Sequence, residues 1–290
     1  MTPYFIVNPI AGGGVAMDKF NKATAFLDSC GTEYRCILTE REHQSTELAQ
    51  KAYADGERLI VAVGGDGTVN EVAAALYGKA DAVMGVFPFG TGNDLARALE
   101  LPTDPVEAAK LLVEGKARPM DMGLADEKPF VNVVGMGFDV DVLKNTDRYK
   151  SRFHGMLPYM MGILHALFHL KKPLAEITYN GETVKQTVTI CAVANGKYFG
   201  GGMAVAPEAV ADDGLFDVCL VEGVNLLQLL TLLPRFIKGK HLGNKHVKYF
   251  RTNEITINCE AQPLQLDGEL GKFAPVTFRV LPAALNMIRP

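Results

Sequence analysis

The chain has 290 residues, 48% hydrophobic and 21% charged, which is ample for one large or two ordinary domains and excludes extended disorder. Its formal net charge of -4 offers no field that attracts nucleic acid, so no such partner is expected, and any attraction to an anionic surface has to be local. The odd cysteine count, without CxxC spacing, argues against a disulfide framework or zinc site and for reduced, mostly buried thiols of a cytoplasmic protein.

The opening residues carry no basic segment before a long apolar run, so a signal peptide is not expected. Residues 4–7 read as a first strand, followed by Gly12-Gly13-Gly14 and a helical pattern over 16–27. Strand-like runs recur at 34–38, 59–63 and 82–87. They alternate with helical patterns at 45–53, with Ser45 placed to cap, at 69–76, and from near Leu95. This order predicts an α/β fold with a parallel, doubly wound sheet. Such sheets bind ligands at the carboxyl ends of their strands. The loops at 12–14, 64–67 and 90–92 each follow a strand and are expected on that edge.

The pattern changes after about Met122. Short alternating segments at 130–134, 176–179, 188–193, 216–221, 254–257, 263–266 and 276–280 predict an antiparallel β-sandwich, interrupted by helical patterns over 156–170 and 226–238. The expected organisation is two domains, residues 1–122 and 123–290, with a cleft between them. The longest apolar stretches, 156–170 and 224–237, are too short to span a bilayer, and Pro158 and Pro234 interrupt them. His165 and His169 share a helix face but lack the Glu of a zinc-protease motif, so no metal is expected there.

The segment Val63-Gly64-Gly65-Asp66-Gly67-Thr68-Val69-Asn70-Glu71 enters from a strand and leaves as a helix. Glycines allow close backbone approach, and N–H groups at a helix start cradle phosphate. Asp66 is placed to hold Mg2+ directly or through water. A plain βα turn with an Asp cap is the bland alternative. Pro88-Phe89-Gly90-Thr91-Gly92-Asn93-Asp94 repeats the logic. Asn93 and Asp94 suit helix caps; alternatively Thr91 and Asn93 contact nucleotide while Asp94 faces metal or the acceptor hydroxyl. Neither loop has GxxxxGK[ST] spacing, which excludes a P-loop.

Together with these loops, four further segments resemble the diacylglycerol kinase catalytic family. They are Asn8-Pro9-Ile10-Ala11-Gly12-Gly13-Gly14; Asn132-Val133-Val134-Gly135-Met136-Gly137-Phe138-Asp139; Asn195-Gly196-Lys197-Tyr198-Phe199-Gly200-Gly201-Gly202 with Pro207-Glu208-Ala209 and Asp212-Asp213-Gly214; and Leu266-Asp267-Gly268-Glu269. Running in order from Asn8 to Glu269, they carry the resemblance over nearly the whole chain, to soluble bacterial lipid kinases especially and to sphingosine kinases more distantly. The resemblance implies a NAD kinase/diacylglycerol kinase-like nucleotide domain, then a β-sandwich, and ATP-dependent, Mg2+-assisted phosphorylation of a lipid hydroxyl. It implies ATP contacts from Asn8, Gly12, Gly13, Gly14, Thr39, Gly65, Asp66, Gly67, Thr68, Val69, Asn70, Glu71 and Thr91, to which the loop reading adds Asn93. It implies Glu269 as the base. Asp66 and Asp94 would organise Mg2+, and Asp267 would orient Glu269 or the metal. A structural Mg2+ site is implied at Asp213 with the backbone oxygens of Val210 and Leu215, where the residues alone indicate a turn. Asp121 is a further acidic candidate for the cleft.

Family members often carry Lys or Arg soon after the first Gly-rich turn; here Val15 and Ala16 follow, and Lys19 is the first cation. The short stretch after Glu269 leaves little chain for a return to the first domain, although a return of the extreme C-terminus stays open. A lipid substrate has to be met at a bilayer. Residues 223–253, from Gly223 to Asn253, contain no acid and hold Arg235, Lys238, Lys240, Lys245, Lys248 and Arg251, which form either a solvated face or a docking surface. The expected location is cytoplasmic with peripheral membrane association, and a homodimer is compatible with the sequence. An NAD kinase shares the Gly-Gly-Asp-Gly loop but not the segments at 195–202 and 267–269. A lipid or nucleotide sensor without turnover is the third reading.

Overall fold

Strands that are apolar at every position bury both faces, which a parallel sheet covered by helices on each side provides. In the computed structural model, which describes residues 1–150, 157–259 and 262–290, the first elements are β1 (Pro3–Val7), a 3-10 turn (Ala11–Gly14), α1 (Ala16–Ser29), β2 (Arg35–Leu38) and α2 (Ser45–Ala54). There follow β3 (Leu59–Gly64), α3 (Asp66–Leu76), β4 (Val83–Pro88), α4 (Asp94–Ala98) and α5 (Pro105–Glu114). The strands lie in the order β2-β1-β3-β4, all parallel. Phe5, Val7, Val61 and Val63 pack with α1 and α5 on one face. Ile6, Ile60 and Ala62 pack with α2 and α3 on the other. Helix α5 was not among the expected elements, although Pro105 opens it and the Asp104 carboxylate accepts the N–H groups of Val106 and Glu107. Ser45 is not a cap: it is the first helical residue, and its N–H donates to Glu71 Oε2 at 2.9 Å.

The remaining elements are β5 (Lys116–Ala125), β6 (Lys128–Phe130), β7 (Val133–Gly137), α6 (Phe138–Lys150), α7 (Leu157–Phe168), β8 (Leu174–Tyr179), β9 (Glu182–Ala194) and β10 (Phe216–Glu222). Then come α8 (Leu226–Ile237), β11 (Val247–Thr252), β12 (Glu254–Asn258), β13 (Pro263–Leu266), β14 (Glu269–Phe273) and β15 (Val276–Arg289). They form two antiparallel layers, β14-β13-β7-β9-β10-β11 and β8-β12-β15-β5-β6, bridged by β9, whose first half pairs with β8. Side-chain alternation divides the work. Cys191, Val193, Val218 and Leu220 face the sandwich core with Phe130, Phe216 and Phe278. Ile190, Ala192, Cys219 and Val221 face outward and are covered by α6, α7 and α8.

The extreme C-terminus returns to the first sheet, as was left open: β15 is a single 14-residue strand whose Asn286 and Met287 pair in parallel with Val83 and Met84 of β4. Three expectations change. The run at 130–134 is broken into β6 and β7, because the Asp267 carboxylate draws off the N–H groups between them. Pro234 does not interrupt α8; it and Leu230 are exposed, so the carbonyl it leaves unbonded meets water. Lys248 and Arg251 lie on β11, where Lys248 donates to the Tyr179 hydroxyl and Arg251 pairs with buried Asp217. Of the helix expected over 156–170, Met156 lies outside the described residues, and Pro158 sits in the first turn of α7, where a missing N–H is tolerated. No helix among the described residues is long and apolar enough to cross a membrane.

Candidate active site

The three glycine loops meet at the carboxyl ends of β1, β3 and β4. Gly12 and Gly13 have φ of 61° and 72°, conformations that glycine adopts without strain. A Cβ on Gly12 would lie 2.5 Å from the Phe89 carbonyl oxygen, and one on Gly90 would lie 2.2 Å from Gly65 Cα. The loops therefore touch backbone to backbone. At Gly13, Gly14 and Gly67 a Cβ would meet nothing within 4 Å, so their open sides are available to a ligand. Asn8 joins loops one and two: its N–H donates to Val63 O at 2.9 Å and its Nδ2 to Thr68 Oγ1 at 3.2 Å.

Asp66 joins loops two and three. Its Oδ2 accepts the Asn93 N–H and its Oδ1 the Asp94 N–H, each at 2.7 Å. The expected caps of α4, Asn93 and Asp94, are thus themselves capped by Asp66. Asn93, at φ 53°, folds its amide back on Gly90 instead. Asp94 reaches across to the sandwich, accepting the Gly201 N–H at 2.8 Å, while its buried Oδ1 has no partner. Burial, reinforced by the Asp66 charge, pushes the Asp94 pKa up to about 6.

Asp267 accepts the N–H groups of Val131, Asn132 and Val133 at 2.8–2.9 Å, and its carbonyl accepts Asn70 Nδ2 at 3.2 Å. Burial raises its pKa to about 6 against the pull of those donors. Glu269 lies further out, in a side cavity of about 230 Å³ that shares Asn70 and Asp267 with the main one. Its carboxylate is 3.5 Å from His43 Nδ1 and 3.6 Å from Lys128 Nζ. Glu71 belongs to the same group, 3.3 Å from His43. Thr39 is tied to Val7 O at the end of β1, Thr91 is exposed, and Val69 is buried with its N–H bonded to Gly65 O.

The main cavity, about 250 Å³, opens between the loops and the helix-covered face of the sandwich. Asp66, Asp94 and Asp267 stand on its wall with Asn70, and Phe138, Val142, Ile163, Leu233 and Phe236 make it apolar. Asp139, buried among these, also lines it. The role of Asp139 was not read from the sequence, nor were those of His43, Lys128 and Arg97, although Asp139 closes a quoted motif and Arg97 falls one turn after Asp94. Arg97 Nη2 lies 3.5 Å from Gly92 O, whereas Lys19 stacks over the Phe89 ring at 5.5 Å.

Two acidic candidates lie elsewhere. Asp121 is not in the cleft; its carboxylate is consumed by the N–H groups of Gly214 and Ala283, at 2.7 and 2.8 Å, and pins two turns together. Asp213 accepts the Leu215 N–H at 3.1 Å and faces Arg251 Nη1 at 3.8 Å. Asp213 with the backbone oxygens of Val210 and Leu215, the set the resemblance implies, would be hard-oxygen ligands of the kind Mg2+ takes, with Arg251 as a competing charge. The His165 and His169 rings stack 4.3 Å apart, one turn from each other at the end of α7.

Residues 2–125 match the family model described as diacylglycerol kinase catalytic domain, and residues 132–289 match that of the YegS C-terminal NAD kinase beta sandwich-like domain. The chain is 30% identical over 292 residues to the diacylglycerol kinase of Mycobacterium tuberculosis (strain ATCC 25618 / H37Rv), covering 98% of this chain and 94% of the relative. It is 29% identical over 288 residues to that of Bacillus subtilis (strain 168), covering 98% and 95%. A crystal structure of a diacylglycerol kinase from Bacillus anthracis str. Sterne superposes with a TM-score of 0.76 at 24% identity, covering 100% and 97%. An NAD kinase from Archaeoglobus fulgidus in complex with ATP gives 0.54 at 13%, covering 100% and 94%, a likeness of fold alone.

Proposed function

The chain belongs to the diacylglycerol kinase family, and from that premise we propose that it transfers the γ-phosphoryl group of ATP to the free hydroxyl of a diacylglycerol, giving phosphatidic acid and ADP. One observation carries the reading: glycine loops with open backbone and an apolar cavity meet at Asp66 and Asp94. Phosphoryl transfer asks for positioning and charge neutralisation more than covalent chemistry. The open sides of Gly13, Gly14 and Gly67 and the start of α3 suit the phosphates. The unpartnered Asp94 Oδ1, with Asp66, fits a cation; Mg2+ bound there would neutralise phosphate charge. Arg97 supplies the cation missing after the first loop.

Glu269 is the proton acceptor in this reading, flanked by His43 and Lys128. Asp267 positions it by fixing the break between β6 and β7. Asp213 and the carbonyls of Val210 and Leu215 would hold a second Mg2+, which would brace their turn. An NAD acceptor would need polar partners along its length, which Phe138, Val142, Ile163, Leu233 and Phe236 do not offer. The lipid arrives from a bilayer. Helices α7 and α8 line the cavity and also expose Met160, Leu164, Phe168, Leu227 and Ile237. With exposed Arg235, Lys238, Lys240 and Lys245, they form the docking face of a peripheral, cytoplasmic enzyme. The test is ATP consumption measured in parallel with diacylglycerol, other lipid alcohols and NAD. Turnover that requires diacylglycerol is expected; NAD-dependent turnover would overturn the reading.

A further inference from the structure

Glu269 and the phosphate turn come from opposite ends of the chain: Glu269 opens β14 and Asp66 opens α3. The Glu269 side chain is 43% exposed, and a glutamate with that freedom can turn out to solvent. His43 meets it. Its Nδ1 lies 3.5 Å from Glu269 Oε1 and 3.3 Å from Glu71 Oε1, while Lys128 Nζ lies 3.6 Å from the other Glu269 oxygen. Glu71 is itself braced, because its Oε2 accepts the Ser45 N–H at 2.9 Å and its carbonyl accepts the Thr46 hydroxyl at 3.3 Å. The turn that carries His43 is closed by Gln44, whose Oε1 accepts the Glu40 N–H at 2.7 Å. The imidazole therefore stands on a fixed carboxylate of α3 and reaches the half-exposed one of β14.

His43 has φ of 57°, a left-handed conformation that residues other than glycine seldom take. Such conformations persist where surrounding contacts hold them, and they gather at functional sites. Helix α3 also grips the same turn at a second point, since Asn70 Nδ2 donates to the Asp267 carbonyl at 3.2 Å. Asn70 and Glu71 are consecutive, so one turn of α3 registers both Asp267 and Glu269. Two carboxylates brought this close repel, and a protonated imidazole between them offsets the repulsion.

Resting on the reading of Glu269 as proton acceptor, we infer that His43 is a positioning residue. Its imidazole bridges Glu71 to Glu269 and holds the Glu269 carboxylate in the side cavity rather than in solvent, in register with the phosphate turn at the start of α3. It acts through Glu269.

His43→Gly tests this. Glycine takes the left-handed backbone without strain, and the exposed space left by the ring admits free imidazole. With dioctanoylglycerol in detergent micelles, kcat should fall about tenfold, the scale of one contact to a charged group, with KM for ATP unchanged. Added imidazole should restore much of that kcat in the variant and leave the wild-type protein as it was. In a Glu269→Gln background the same substitution should cause no further loss and no response to imidazole, because the group that His43 acts through is gone. A His43→Gly variant that keeps its kcat, a loss that imidazole does not reverse, a loss carried by KM for ATP, or a full further loss in the Glu269→Gln background overturns the inference. Near-wild-type kcat in Glu269→Gln alone would instead overturn the reading of Glu269 on which it rests.

Discussion

Asp94 carries two opposing demands. Its pKa is raised from 3.8 to about 6, first by burial and then by the charge of Asp66. The folded state thus binds this proton more tightly than the unfolded chain. The resulting stabilisation is present below the unfolded pKa and is lost as pH rises through about 6. Asp94→Asn, neutral throughout, should melt higher than wild type at neutral pH in the presence of chelator, by at most about 3 kcal/mol. The gap should close as pH falls towards the unfolded pKa. Melting curves across pH check this, and a constant difference would deny the buried charge. The same variant should lose activity, since Mg2+ needs the ionised carboxylate. Glu269→Gln should keep ATP affinity and fold while kcat falls by roughly 10²–10⁴; steady-state kinetics that stay near wild type would remove Glu269 from the proton-acceptor role. The part of Asp66 that was legible is its place in a phosphate turn. Its grip on the N–H groups of Asn93 and Asp94 was not, because those donors belong to the next βα unit.

At the scale of elements, the β-α order of the first half was legible because β1, β3 and β4 are apolar on both faces and α1, α3 and α4 follow glycine turns. The sandwich strands were legible by alternation but not by extent. β15 was read only to residue 280, because Pro282 and a positive φ at Ala283 mark a register shift before pairing resumes at Leu285. The gap between β6 and β7 comes from Asp267, a residue over 130 positions away. The turn at 210–215 is where resemblance went furthest beyond the residues. Asp213→Ala should lower the melting temperature and abolish any stabilisation by added Mg2+, with ATP affinity unchanged. Equal melting with and without the ion in both proteins would exclude a metal there.

For the whole molecule, the fold places an apolar cavity of about 250 Å³ against α7 and α8 with the glycine loops beside it, and in the proposed reading those helices make the membrane contact. Replacing Lys238, Lys240 and Lys245 together by Glu should reduce turnover on anionic vesicles far more than on detergent-dispersed lipid, and raised salt should mimic it. Equal losses in both assays would assign the lysines to the fold. Lys248 is left out because Tyr179 holds it. The central claim is that phosphate passes from the glycine loops to an alcohol in the adjoining cavity. Its most direct test follows the label from ATP marked at the γ-phosphate, in one turnover with excess protein and diacylglycerol. The label should appear in phosphatidic acid, and should fail to do so in Asp94→Asn. Label recovered only as inorganic phosphate, or on NAD supplied in its place, would contradict the account.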